Sequence, residues 1–510
     1  MYKRQPLTGL TITNGTANGT ITFGGNIGDG SGAGVEGTTL IGNTNTADLN
    51  FNSTIYSFDG ATTITAASGD TIDIAAGAAT TFTTAADNIT FATGNIELAN
   101  GSNLTVDTGA TGGNITIGAI AGTSVETVTL DAGTGTTSVG VIGSGTEIGA
   151  VTIGSAENGG ITLNGAITTD GAVTIDGPVT LATGAITVTT ANDAISFNHT
   201  INGAQALTLV SGTAATTIDG TIGGSSAISS LTITNGTANG TIEIANIEGV
   251  SGATAIGNTN TATITLDGTA YSTDGTQTYT AATGQNIDIT GAATFTTTND
   301  NISFATSGVD LANNGTTTIN TGTGAGTVSF GAAIEGNSAT APFNDLLVIT
   351  SGTGNVTFTG AIGATNALGG LDVNSSAGDG NITFTSTIGD TGNAGVVGTT
   401  AIGNAATADL NFNGATYSFD GATTITAASG DTIDIAAGAA TTFTTAADNI
   451  TFATGNIELA NGSNLTVDTG AAGGNITIGE IDGHSTETVT LDAGTAVSYT
   501  HLRAHETHPN

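Results

Sequence analysis

A word of apolar, polar and apolar residues recurs three times in about every two dozen residues of this chain, and that rhythm leaves few folds open. Ile89/Phe91, Ile96/Leu98 and Leu104/Val106 each flank one Thr or Glu, and the intervals hold Gly-Asn, Asn-Gly-Ser-Asn or Thr-Gly. Alternation with period two sends both apolar side chains of a word to one face and the middle residue to the other. Three short strands joined by corners, with Gly and Asn in the left-handed conformation, describe a triangular coil. One such coil cannot bury its inner face alone, whereas stacked coils share a continuous core and pair every strand with those above and below. The expected fold is therefore all-β, a parallel β-helix (β-solenoid) with about two dozen residues and three short strands per coil. Gly and Thr crowd every window and no apolar stripe holds a 3.6 period, which argues against helix.

The coil length comes from offsets between similar words. Ile89, Ile115, Val139 and Ile161 step by 26, 24 and 22, and Ile195, Ile218 and Ile242 step by 23 and 24. Above this period lies a longer one. Tyr56 to Gly118 recurs as Tyr417 to Gly479 with one difference, Thr111 against Ala472, and ETVTLDAGT at Glu126 returns at Glu487. LTITNGTANGTI begins at both Leu10 and Leu231, so long repeats are expected to start near 10, 231 and 371 within one continuous solenoid over residues 6–495.

The charges are distributed as unusually as the apolar residues. The chain has 41 Asp and Glu, 3 Lys and Arg and no Cys, for a formal charge of −38. Lys3 and Arg4 lie in the first five residues and Arg503 lies in 496–510. Both end segments look like translated sequencing adaptor on a metagenomic fragment, and they are set aside from the fold. Without Glu506 the remainder has 40 carboxylates and no Lys or Arg. Such a surface repels phosphate backbones and anionic lipid, so neither nucleic acid nor membrane insertion within this fragment is expected. No run of 18 apolar residues occurs, and the lack of Cys fits an exported protein only weakly. The regular supply of Ile, Val, Leu and Phe argues against disorder.

Few residues offer chemistry. Asn88, Asn114, Asn301, Asn355, Asn381, Asn449 and Asn475 each precede a strand as Asn-Ile/Val-Thr/Ser. Such a residue reads either as a glycosylation acceptor or, preferably, as a left-handed corner whose amide stacks on the next coil. Asp73, Asp288 and Asp434 sit in three equivalent Ile-Asp-Ile words and are expected to face solvent, where repeated carboxylates repel one another and hold raised pKa values. Calcium is the one cofactor they leave open, although the Gly-Gly-x-Gly-x-Asp array is absent. The metal ligands are thus unknown. His199 and His484 have no Ser, Cys or second His arranged beside them, so no catalytic and no cofactor-binding residue is assigned. A β-helical carbohydrate-active enzyme is the least favoured alternative, as a two-carboxylate hydrolase rather than a polysaccharide lyase, whose Lys or Arg base is lacking. Thr81-Phe82-Thr83 and Thr127-Val128-Thr129 invite comparison with ice-binding solenoids, but outward positions read as a mixture of Thr, Glu, Asp, Asn and Ser.

Words such as Asn355-Val356-Thr357-Phe358-Thr359-Gly360-Ala361-Ile362-Gly363 and Gly203-Ala204-Gln205-Ala206-Leu207-Thr208-Leu209 resemble those of giant bacterial β-strand-repeat surface proteins. They are similar to filamentous-haemagglutinin-like and autotransporter passenger adhesins. The resemblance implies export to the cell surface and a structural or adhesive rod, not an enzyme, that mediates adhesion, aggregation or biofilm formation. The partners it implies are a host or neighbouring-cell surface, a glycan or the chain itself. A surface-layer or extracellular matrix scaffold is the alternative.

Overall fold

Strands are the only regular elements among the described residues, and almost all are three to six residues long. The structure is a computed structural model. It describes residues 5–496 and the backbone of 499–500, apart from 16–17, 30–33, 124, 156–158, 312–314, 337–342, 377, 391 and 439. Most of both adaptor-like ends lies outside the described residues. The chain divides into two compact units, Met1–Ile244 and Ala245–Asn510.

Each unit is a parallel β-solenoid with three strands per turn. In the Met1–Ile244 unit the three words of one coil form the strands Ile89–Thr93, Asn95–Leu98 and Leu104–Asp107. Each pairs in parallel with a strand one coil on or back. Ile89 meets Ile115, Ile96 meets Ile72 and Leu104 meets Val128. All six apolar residues of these words are at most 1% exposed, as the period-two alternation requires. In the Ala245–Asn510 unit the same rule aligns Ile302, Val328, Val356, Ile382 and Leu410. Parallel ladders with this register repeat at about 4.8 Å per coil.

Two details of the coil register differ from the sequence reading. Val139 lies beside Ile117 and Leu163, with Thr137 beside Ile115, so those coils step by 22 and 24 residues. Ile218 likewise lies beside Phe197 and Ile244, giving steps of 21 and 26. The cause is the same in both places. Thr137 and Thr216, 1% and 0% exposed, occupy inward sites where the alternation suggested the first Ile or Val. Thr is as β-branched as Val and nearly the same size, so it fills an inward site, at least cost where its hydroxyl finds an acceptor. For Thr216 that partner is Ser211 Oγ at 3.0 Å.

Rings fill one inward column of the Ala245–Asn510 unit. Tyr279, Phe304, Phe330, Phe358, Phe384 and Phe412 stack on successive coils with centroids 4.9–5.4 Å apart and interplanar angles of 4–15°. The rung spacing nearly equals an offset-stacking distance, so the ladder itself sets the geometry aromatic pairs prefer. Tyr56, Tyr271 and Tyr417, at equivalent places in the long repeats, are fully buried. Their hydroxyls accept N–H bonds from Ser53, Gly268 and Gly414 at 2.8–2.9 Å, which ties each ring to its own corner. Burial raises the pKa of all three.

Candidate functional site

The three repeated aspartates point outward as expected, and coil stacking places other acids beside them. Asp73 lies between Asn50 and Glu97. Asp288 begins the column Asp288, Asp310, Glu335, and Asp434 begins Asp434, Glu458, Asp482. Partial burial between neighbouring strands is the main cause that lifts Asp73, Asp288 and Asp434 above the usual carboxylate range. The charges of Asp48, Asp310 and Asp409 add to it in turn. Burial also raises Asp310, opposed by the Asn286 amide, which donates to it at 2.7 Å. These acids form a file with one carboxylate per rung rather than a convergent cage. Among the described residues no group of three or more His, Cys, Asp or Glu side chains is placed to hold a metal ion.

Not every acid follows the expected upward shift. Glu126 is 0% exposed, yet its pKa falls to about 2. Burial pushes that pKa up most strongly, but a set of donors outweighs it. The backbone N–H groups of Thr123, Gly101 and Val125 lie 2.8–3.3 Å away, and the Thr123 hydroxyl donates at 2.7 Å. Gly101 belongs to the preceding coil, so this carboxylate clips two corners together. Glu487 repeats the arrangement with N–H groups of Ser485 and Gly462 at 2.6 and 3.1 Å, and its pKa also falls to about 2. Sequence reasoning noted these glutamates only as the first letter of a duplicated word. Their place after a corner of Gly, Thr and Ser was the available signal.

The strand-entry asparagines do what half of their reading anticipated. Asn88 Oδ1 accepts the N–H of Asn114 at 2.8 Å, and Asn114 Oδ1 accepts that of Thr136 at 2.9 Å. Asn301, Asn355, Asn381 and Asn449 accept from Thr327, Asn381, Asp409 and Asn475 in the same way. The left-handed conformation is not theirs, because none of the seven has a positive φ. Among the described residues that role falls to corner glycines and to Asn18, Ala86, Asn239, Asn299, Asp379 and Ala447. Asn299, left-handed at φ 69°, also accepts from the next coil, through the Thr323 N–H at 3.1 Å, so coil-to-coil bonding does not depend on the corner conformation.

His199 Nε2 lies 3.3 Å from Asp176 Oδ1 at a corner where both side chains are about one-third exposed. A protonated ring would make this a surface ion pair, of a kind that contributes up to about 1 kcal/mol. His484 is exposed and lies in the other unit. A cleft of about 410 Å³ in the Ala245–Asn510 unit is lined by Phe343, Asn393, Phe419, Asp420 and Thr444 among others, and Asp420 is its one carboxylate.

The outward residues are sorted by face, which the sequence did not reveal. Thr81, Thr105, Thr129, Thr152 and Thr174 make an unbroken column over five coils. Two residues along, the corresponding column reads Thr83, Asp107, Asp131, Gly154 and Asp176. The Thr-x-Thr pair is therefore not sustained, although one of its columns is. A second hydroxyl column, Thr63, Thr90, Thr116, Ser138, Thr162 and Thr180, runs along another face of the same unit. No family model, curated protein or solved structure matches this chain. The class defined by the fold is the parallel β-solenoid repeat protein. No helix among the described residues is long and apolar enough to cross a membrane.

Proposed function

We propose that the chain is a structural and adhesive stalk of a bacterial surface or secreted repeat protein, acting in adhesion, aggregation or biofilm formation rather than in catalysis. One observation carries the reading. Side chains of the inward columns pack coil on coil, while the outward ones form long files of like residues. A file repeats one weak contact many times along a surface, which suits adhesion through many small interactions. Catalysis instead asks for unlike groups brought together, and the acidic files separate their members by a rung each. The fold is compatible with export to the cell surface, the place this reading assigns to it.

The test is display of the chain on a non-adhesive bacterial host, followed by measurement of settling and of retention on glass or on cultured cells. The expected result is faster settling or several-fold greater retention than with an unrelated displayed protein of similar size. Equal behaviour in both assays would overturn the reading.

A further inference from the structure

We propose that one face of the Met1–Ile244 unit is a docking surface for a second copy of the same chain, laid side by side. The inference rests on the adhesive reading and names its partner and its face. It begins from the distribution of charge. Nine strands stack on this face, from Leu10–Ile12 to Ile201–Asn202. Their central outward column is Thr11, Leu40, Thr63, Thr90, Thr116, Ser138, Thr162, Thr180 and Asn202, and none of the nine strands contains a carboxylate. In the same unit one other face carries Asp73 with Glu97 in its central column, and the remaining face carries Asp107 with Asp131 two residues to the side of its own threonine file. In a chain of charge −38 this is where two copies can approach without opposing files of like charge.

The chemistry of the face also selects a copy of itself. A hydroxyl or a carboxamide both donates and accepts, so a Thr, Ser and Asn surface is complementary to its own image, whereas an ionised carboxylate only accepts. Among the described residues the hydroxyls of Thr63, Thr90, Thr116, Thr162 and Thr180 have no hydrogen-bond partner in the chain, which leaves them to solvent or a neighbour. A second copy has the same rung spacing of about 4.8 Å, so contacts made at one coil recur at the next without accumulating mismatch. The same periodicity makes an isologous, two-fold contact accessible. Eight rung steps by about five residues of strand width give about 600 Å² per copy. That is below the roughly 800 Å² per partner of a standard stable interface, so the contact is weak and reversible by itself.

The test is sedimentation velocity on the full chain over a range of concentrations, at about 0.01 M and about 0.5 M salt. Raising the salt shortens the screening length from about 30 Å to well under 10 Å and removes the long-range repulsion between acidic copies. One variant carries Thr63→Asp, Thr116→Asp and Thr162→Asp on alternate coils of the neutral face. Its control carries Thr81→Asp, Thr152→Asp and Thr217→Asp, which add the same charge to another face. Far-ultraviolet circular dichroism checks that both remain folded. The expected result is concentration-dependent association of the wild type and the control at high salt, weakened at least tenfold in the neutral-face variant. A wild type that stays monomeric throughout would overturn the proposal, as would equal weakening in both variants. If the displayed neutral-face variant keeps its retention on glass or cells while losing association, the adhesive reading stands and the docking face is supported. If the variant loses retention while its association is unchanged, the face binds something other than a second copy and the proposal falls.

Discussion

Replacing Phe330 by Ala should remove the middle of the aromatic column and reveal how far one coil depends on its neighbours. Phe330 is 2% exposed and stacks on Phe304 at 5.0 Å and on Phe358 at 5.4 Å, with angles of 4° and 5°. Truncating a buried Phe costs about 3–5 kcal/mol through lost transfer energy and the cavity left behind. Two ring pairs vanish together, each worth about 0.5–1.5 kcal/mol beyond area, which places the expected loss in the upper half of that range. Phe330→Leu refills much of the space and should cost only about 1–3 kcal/mol, the value of the two pairs. Coils touch only their neighbours, so the damage should be local. Native-state hydrogen exchange reads this directly. Protection should fall at Val328–Phe330 and in the flanking strands Ile302–Phe304 and Val356–Phe358, while amides of the Met1–Ile244 unit keep theirs. A loss under about 1 kcal/mol for the Ala variant, or protection lost evenly over both units, would refute the reasoning.

Three further outcomes are expected. Ile115→Asp buries a charge and should cost several kcal/mol by thermal unfolding, whereas Thr116→Asp, one residue along and outward, should shift stability by less than about 0.5 kcal/mol. Thr400 Oγ1 is buried without a hydrogen-bond partner, so Thr400→Val, nearly identical in shape, should stabilise by about 1 kcal/mol in urea unfolding. Acid should act in two opposite directions. Asp288 and Asp310 have folded pKa values above their unfolded ones, so protonation favours the fold and that stability is lost as pH rises through the folded values. Glu126, lowered from 4.5 to about 2, stabilises above its unfolded pKa and loses that contribution as pH falls towards about 2. The melting temperature should therefore rise as pH falls from 7 into the carboxylate range and fall again below the ordinary carboxylate pKa of about 4. Asp310→Asn should reduce the rise, and Glu126→Gln should flatten the fall.

Much of this architecture was legible because one rule, period-two alternation, repeats in nearly every coil. Ile96/Leu98 and Leu104/Val106 were read inward and are buried there. The register failed where Thr137 and Thr216 stand in the core, since a buried Thr and an outward Thr are the same letter in the sequence. The neutral face was hidden for a related reason. Membership of a column depends on corner lengths, and paired strands are separated by 21 residues in one turn and 26 in the next, so Thr116 and Ser138 align only after folding. Glu126 escaped because its low pKa comes mainly from the Thr123 hydroxyl and N–H of its own corner, with Gly101 of the preceding coil adding to them, and the residue type carries no sign of that arrangement.

Distances between outward residues on successive coils test the solenoid most directly. The chain has no Cys, so spin labels can be attached to single introduced pairs without removing a native thiol. Thr63 with Thr162, Thr63 with Thr180 and Thr63 with Asn202 span four, five and six rungs of one face. Pulsed electron paramagnetic resonance should give backbone separations of about 19, 24 and 29 Å, a constant step of about 4.8 Å per rung. Distances that fail to grow with rung number, or that follow the number of intervening residues instead, would contradict the stacked-coil fold.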